Sequence, residues 1–225
     1  MRIIKYLKEI PFTVAFSGGR DSLLALLWIL EHGLENFNIV YAEVTENTHP
    51  LCTQYVHDVL KQLGLEKKLR VVRTVPFFQY MKKHGVPNLG KNRWCKYRKL
   101  DAIFSVARKV IITGTTRSNA RRNVKALHFY KNGRIAFSPL IENHINHKLI
   151  HEYGIEINPC YALYGHSGNC VFCPYHSAKS IVLTMNDPEW RDKILEALSL
   201  APKKYRLQEY VVQKWLRCSR QTTLL

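Results

Sequence analysis

Six residues near the amino end, Ser17-Gly18-Gly19-Arg20-Asp21-Ser22, bring together groups that hold a phosphate. The two glycines let the backbone take φ > 0 and bring N–H groups close to a ligand. The serines add hydroxyl donors and the aspartate a carboxylate. Phe12 to Phe16, just before them, is a short β-rich apolar run that predicts a buried strand. From Asp21 onward, Leu23, Leu24, Leu26, Leu27 and Leu30 keep helical spacing, and Gly33 is a natural stop. The glycines therefore fall on a strand-to-helix turn. The partial positive charge of the helix N-terminus behind them favours an anion. A plain tight turn with an Asp/Ser cap would not need all six residues.

The second set of reactive groups is sulfur. Of six cysteines, Cys160, Cys170 and Cys173 fall within "NPCYALYGHSGNCVFCPYHS". A C-x2-C pair can aim both sulfurs at one metal, and a following proline recurs in iron–sulfur sites. Cys95 opens a predicted helix in "NRWCKYRKLD", where the helix N-terminus and Arg93, Lys96 and Arg98 would favour its thiolate. In a reducing cytosol such clustering points to metal or redox chemistry rather than disulfides. Unconnected buried cysteines are the plainer alternative. Cys218 is expected outside the cluster. His144, His147 and His151, at i, i+3 and i+7, would share a helix face; that face is more simply polar than metal-binding. Arg117, Arg121 and Arg122 in "TTRSNARR" can grip phosphate or sulfate, with a solvated basic loop as the plainer reading.

These groups need a frame. Strands are expected at Phe37 to Val44, Leu69 to Val75 and Val110 to Thr113, and helices at Cys52 to Leu63 and Cys95 to Arg108. Strand–helix alternation implies an α/β fold, a doubly wound, mainly parallel sheet with helices on both faces. Its ligands bind beyond the carboxyl ends of the strands. The glycine turn lies at one such end, and Glu43 to Thr48 and Gly114 to Arg122 at others. In "HFYKNGRIAF", Asn132-Gly133 signals a hairpin with a type I′ turn. A helix is expected from Glu142 to Tyr153, a loop over 158–176, and two closing helices near 187–200 and 203–218. The last is amphipathic, with Leu207, Val211 and Trp215 on one side. Residues 1–157 read as a nucleotide-binding domain, and 158–225 as a Cys-rich loop with a helical extension.

Bulk properties narrow the function. The chain has 225 residues, enough for one sizeable α/β domain and an extension. It has no 18-residue apolar run and no signal peptide, so a soluble, cytoplasmic protein with no membrane partner is expected. Lys and Arg number 34 against 17 Asp and Glu, a net charge of +17. Such an excess suits a polyanionic partner, most commonly nucleic acid.

The Ser17–Ser22 turn is not a P-loop, which needs Gly-x4-Gly-Lys-Ser/Thr. It resembles the SGGxDS motif of the PP-loop ATP pyrophosphatases, also called adenine nucleotide α-hydrolases, which cleave ATP between the α and β phosphates. The resemblance implies a Rossmann-like fold in which Ser17, Gly18, Gly19, Arg20, Asp21 and Ser22 cradle ATP with Mg²⁺ nearby. It places Glu43 and Gly114 at the nucleotide site and gives catalytic roles to Asp21, Arg117 and Arg121.

Within that group the chain is similar to the phosphoadenosine-phosphosulfate (PAPS) reductase-like branch. The likeness runs through "TENTHPLCTQYV", "RWCKYRKLDAI", "ITGTTRSNARR" and "FSPLIENHINHKLIHEYGIEINPCYALYG" to the terminal C-x2-C. Iron–sulfur members hold a [4Fe–4S] cluster with a Cys-Cys pair and that motif. Here Trp94 replaces one of the pair and Cys160 is additional. The resemblance thus implies Cys95, Cys160, Cys170 and Cys173 as cluster ligands, with zinc on the same thiolates as the rival. The arginine loop lacks the family's Glu-Ser pair. Reductases of PAPS generally have a degenerate glycine turn, whereas this one is complete, which favours ATP. The expectation is an ATP-dependent adenylating enzyme that transfers sulfur from a donor to tRNA or DNA; a homodimer is compatible with it. The alternatives are a PAPS or adenylyl-sulfate reductase, and a nucleic-acid-binding module with structural zinc. A reductase would want a nucleophilic cysteine in a flexible tail, and Cys218 sits in a helical pattern.

Overall fold

A computed structural model of the chain describes residues 2–89, 93–117, 125–143, 145–202 and 206–221. Along the chain come α1 (Arg2–Glu9), β1 (Phe12–Ala15), α2 (Arg20–Glu31), β2 (Phe37–Glu43), α3 (Pro50–Gln62), a 3₁₀ turn, β3 (Leu69–Arg73) and α4 (Phe77–His84). Then follow α5 (Trp94–Phe104), β4 (Val110–Thr113), β5 (Leu127–Phe129), β6 (Ile135–Phe137), α6 (Pro139–Glu142), α7 (Lys148–Glu152) and α8 (Cys160–Tyr164). The chain closes with α9 (Ala178–Met185), α10 (Pro188–Leu200) and α11 (Arg206–Gln221). Among the described residues no helix is long and apolar enough to cross a membrane.

The chain divides into two compact units. The first is Met1–Ala42, Thr53–Val72 and Ala102–Asn158; the second is Glu43–Cys52, Arg73–Asp101 and Pro159–Leu225. The second therefore draws two segments from the first half of the sequence as well as the Cys-rich stretch and closing helices.

The first unit is α/β. Its six-stranded sheet runs β3-β2-β1-β4-β6-β5, with β1 parallel to β2 and β4, β4 parallel to β6, and β5 antiparallel to β6. Helices flank it, in an arrangement compatible with a Rossmann-like fold. Alternation along β2 shows why both faces must be covered. Ile39 and Tyr41 enter the large core with Val14, Ile112 and Leu27 of α2. Val40 and Ala42 enter a smaller one with Ile103 and Phe104 of α5. A strand buried on both faces reads as a continuous apolar run, as this one does.

Three expectations change. The hairpin turn is not type I′, which needs φ > 0 at both central residues. Only Gly133 has it, at +78°; Tyr130 N–H bonds Arg134 O, and Gly133 N–H bonds Tyr130 O. The loop is thus three residues long, with glycine at the left-handed position. The helix expected over 142–153 is mostly absent: α6 ends at Glu142 and only the short α7 lies within that span. Asn143 Nδ2 donates to Pro139 O, and Asn146 Oδ1 accepts from Lys148 N–H; such local bonds compete with helix continuation. His147 and His151 thus lose their continuous helix, and His144 lies outside the described residues. Finally α1, α4 and α9 stand where no helix was expected, and α8 lies within the expected 158–176 loop.

The second unit is built from α4, the first two turns of α5, and α8 to α11. Its core gathers Phe77, Met81, Phe172, Met185, Ile194, Val211 and Trp215. Trp94 donates from Nε1 to Gly85 O at 3.1 Å and packs on Phe77 and Tyr80. Glu46, at φ +69°, accepts from the N–H groups of Phe78 and Gln79, placing a carboxylate at the positive end of α4.

Candidate functional site

β1 ends in the sheet's middle, where the strand order reverses between β1 and β4. Crevices at such switch points bind ligands in open α/β sheets. The glycine turn leaves β1 there and opens α2. Gly18 is buried and takes φ +72°, and Gly19 is extended as the N-cap of α2. The serine pair closes the turn. Ser22 Oγ accepts from Ser17 N–H at 3.1 Å and donates to Gly19 O at 2.8 Å, and the two hydroxyls lie 3.1 Å apart. Ser22 is thus spent largely on shaping the turn. The turn sets the N-terminus of α2, whose partial positive charge favours an anion, at the end of β1.

Two more residues hold this turn. Gly114, just past β4, lies against its backbone: a Cβ there would stand 2.5 Å from Asp21 C, Asp21 O and Ser22 N. Buried Asn158 donates from Nδ2 to Gly18 O at 2.9 Å. Gly114 was expected at the site; Asn158 was not, its signal being only an asparagine beside "PC". Arg117 is exposed, with Nε donating to Ile141 O at 2.9 Å. Arg121 and Arg122 lie outside the described residues. Glu43 belongs to the second unit, where it pairs with Arg73 at 3.4 Å.

The thiols belong to the second unit. Cys95, Cys170 and Cys173 are near neighbours. Burial pushes the Cys95 thiol up to about 12. Arg93 opposes that shift, while Cys170 and Cys173 add to it. Cys173 is pushed up to about 11, again by burial first and Cys170 second. The expectation that basic neighbours favour the Cys95 thiolate is therefore overturned: desolvation outweighs Arg93 and Lys99. Arg93 stacks over Tyr175 at 4.7 Å, and its Nε is buried with no hydrogen-bond partner among the described residues.

Asn47 clamps the C-x2-C loop. Fully buried, it accepts from Phe172 N–H at 2.7 Å and donates to Phe172 O at 3.0 Å. Its carbonyl takes Val171 N–H at 2.8 Å. Thr48 Oγ1 donates to Asn169 O, and Lys99 Nζ to Asn169 Oδ1.

The chain matches no protein-family model and no curated protein sequence. Cys160 does not join the other three thiols. It starts α8, fully buried, and packs with Cys52 and Tyr164. Burial pushes it up to about 12, with Cys52 as its sulfur neighbour, and its Sγ would meet a Cβ on Gly168 at 2.7 Å. As a fourth ligand beside Cys95, Cys170 and Cys173 it is corrected: the proline-led turn into α8 carries it to Cys52. Among the described residues no group of three or more His, Cys, Asp or Glu side chains is arranged to hold a metal.

A histidine group went unread in the sequence. His166 and His176 stack at 4.1 Å. His166 accepts at Nδ1 from Gly168 N–H and meets Thr184 Oγ1 at Nε2. Tyr164 Oη contacts His49 Nε2 at 3.1 Å and donates to Asp187 at 2.7 Å. Burial lowers His166 to about 4 and His176 to about 3.

Proposed function

We propose that the chain is an ATP-dependent adenylating enzyme of the PP-loop pyrophosphatase kind, in the PAPS reductase-like branch, acting in sulfur transfer to tRNA or DNA. The observation that carries this reading is the glycine turn at the switch point, packed so tightly that Gly114 has no room for a Cβ. The N–H groups of the turn would hold the phosphates, and Asp21 would hold Mg²⁺, which offsets phosphate charge. Arg117 and Arg121 would stabilise the developing charge. An oxygen of the acceptor attacks the α-phosphorus and pyrophosphate leaves. Sulfide from a donor then attacks the acceptor atom that bore the oxygen, and AMP leaves with that oxygen. The net charge of +17 supports a nucleic-acid acceptor.

The four-cysteine cluster does not fit as a set, because Cys160 faces Cys52. Burial keeps the Cys95 and Cys173 thiols protonated despite Arg93 beside them, so metal binding would have to displace those protons. Cys95, Cys170 and Cys173 would hold a [4Fe–4S] cluster or zinc only after rearranging, because among the described residues no three such side chains are arranged to hold a metal. An iron–sulfur group would supply a place to hold sulfide, and zinc a structural tie. Buried in α11, Cys218 is poorly placed as a reductase's mobile nucleophile.

The test is product analysis with α-labelled ATP, Mg²⁺ and either tRNA or DNA. AMP and pyrophosphate, formed in step with acceptor, are expected. ADP and phosphate, or no turnover by metal-loaded protein, would overturn the reading and favour the binding module.

A further inference from the structure

Within the second unit, α9 and α11 enclose a surface cavity of about 170 Å³, lined by Ala178, Tyr210, Lys214, Arg217 and Cys218. Positions 210, 214, 217 and 218 follow i, i+4, i+7 and i+8, so they share one stripe of α11. Lys214 Nζ donates to His176 O, which ties that cation to the chain just ahead of α9. Arg217 is exposed and makes no hydrogen bond or ion pair among the described residues. The sequences of the two helices hold five cations against one acid, Glu209. Glu209 stands eight residues from Arg217, about 12 Å along the helix axis, too far to pair with it.

A cavity holding two cations and no carboxylate selects an anion. Its size selects which part of one. Sites that enclose a drug-sized ligand run to roughly 300–1,000 Å³, so this one takes a single group rather than a whole nucleotide. An ammonium and a guanidinium on successive turns reach an anion from different directions, which suits a tetrahedral oxyanion better than a planar carboxylate. Tyr210 offers an aromatic wall to whatever the anion is attached to.

We propose that the Lys214–Arg217 cavity is a phosphate-binding site, taking one phosphate group of a phosphorylated ligand, with Arg217 as its main cation. The site lies in the second unit, uses none of the glycine turn and does not depend on the reaction proposed above. Its phosphate can come from a small phosphorylated compound or from a polynucleotide backbone.

The test is an amide ¹⁵N–¹H titration of the full chain, first with inorganic phosphate and then with a ten-residue oligothymidylate. Saturable shifts are expected at Ala178, Lys179 and the amides from Tyr210 to Cys218. Because the readout is local, phosphate bound at residues 17–22 is seen separately. Arg217→Ala should weaken binding at this cavity about tenfold or more, and Arg217→Lys less. Tighter binding of the oligonucleotide identifies a backbone phosphate, and equal or weaker binding a small ligand. Absence of saturation at these amides with both probes, or unchanged binding in Arg217→Ala, overturns the proposal.

Discussion

Gly114→Ala separates a steric requirement of the glycine turn from a general loss of stability. Gly114 does not have a positive φ, so alanine brings no backbone penalty there. The added Cβ would stand 2.5 Å from Asp21 C, Asp21 O and Ser22 N. Favourable carbon contacts begin near 3.5 Å, so roughly 1 Å must be regained. All three atoms are backbone, and no side chain can swing aside. Overpacking of this kind costs about 1–3 kcal/mol; stiffening the unfolded chain returns about 0.4–1 kcal/mol. A net loss near 1–2 kcal/mol lowers Tm by about 2–8 °C for a chain of this length. Turnover should fall further, because a catalytic group displaced by about 1 Å can cost about a hundredfold. The control is Gly64→Ala. Its φ is +66° with nothing within 4 Å, so strain of about 1–2 kcal/mol is expected with turnover unchanged. Differential scanning calorimetry and AMP release read both. Wild-type turnover in Gly114→Ala, or equal losses in both variants, would refute the reasoning.

Asn158→Ala removes the donor to Gly18 O and leaves a buried carbonyl unpaired. A loss of about 1–3 kcal/mol by denaturant titration is expected, with weaker ATP binding by calorimetry. Asn47→Ala orphans both backbone groups of Phe172, so a loss of about 1–3 kcal/mol for each by denaturant titration is expected. Elemental analysis after anaerobic purification should show metal lost in Cys173→Ala and kept in Cys160→Ala, whose defect is a cavity beside Cys52. Stability should also fall in acid. His166 and His176 titrate near 4 and 3 in the folded chain against about 6.5 unfolded. The unfolded state binds more protons between these values, so stability falls as pH drops from about 6.5 toward 3, at up to about 1.4 kcal/mol per pH unit for each ring. His166→Gln should flatten that slope.

What could be read from the sequence follows from how local each signal is. β1, the glycine turn and α2 occupy neighbouring residues, and strand, turn and helix each leave a mark there. β2 and β4 were legible because burial on both faces demands unbroken apolar runs. The short helices were not. α4 depends on Glu46, some thirty residues away, to meet its first N–H groups. The break between α6 and α7 lay in two asparagines whose bonding choice only the fold decides.

The thiols show the same division more sharply. Cys170 and Cys173 are paired by C-x2-C spacing, three positions apart. Cys95 joins them, and its location at the head of a helix suggested a reactive thiolate. Yet ionisation is decided by what surrounds the sulfur, and here burial defeats the neighbouring cations. Cys160 lies ten residues from Cys170, close enough in sequence to be taken as a ligand. One turn of helix after Pro159 brings it to Cys52 instead. Asn47 is the converse case: a polar residue in a loop, which pattern reading assigns to solvent, holds the C-x2-C backbone from full burial. Residues that present a site announce themselves by type and spacing. Those that hold it in place are ordinary amides, whose role exists only once distant segments meet. Asn47→Ala and Asn158→Ala therefore test these sites as directly as any cysteine or glycine substitution.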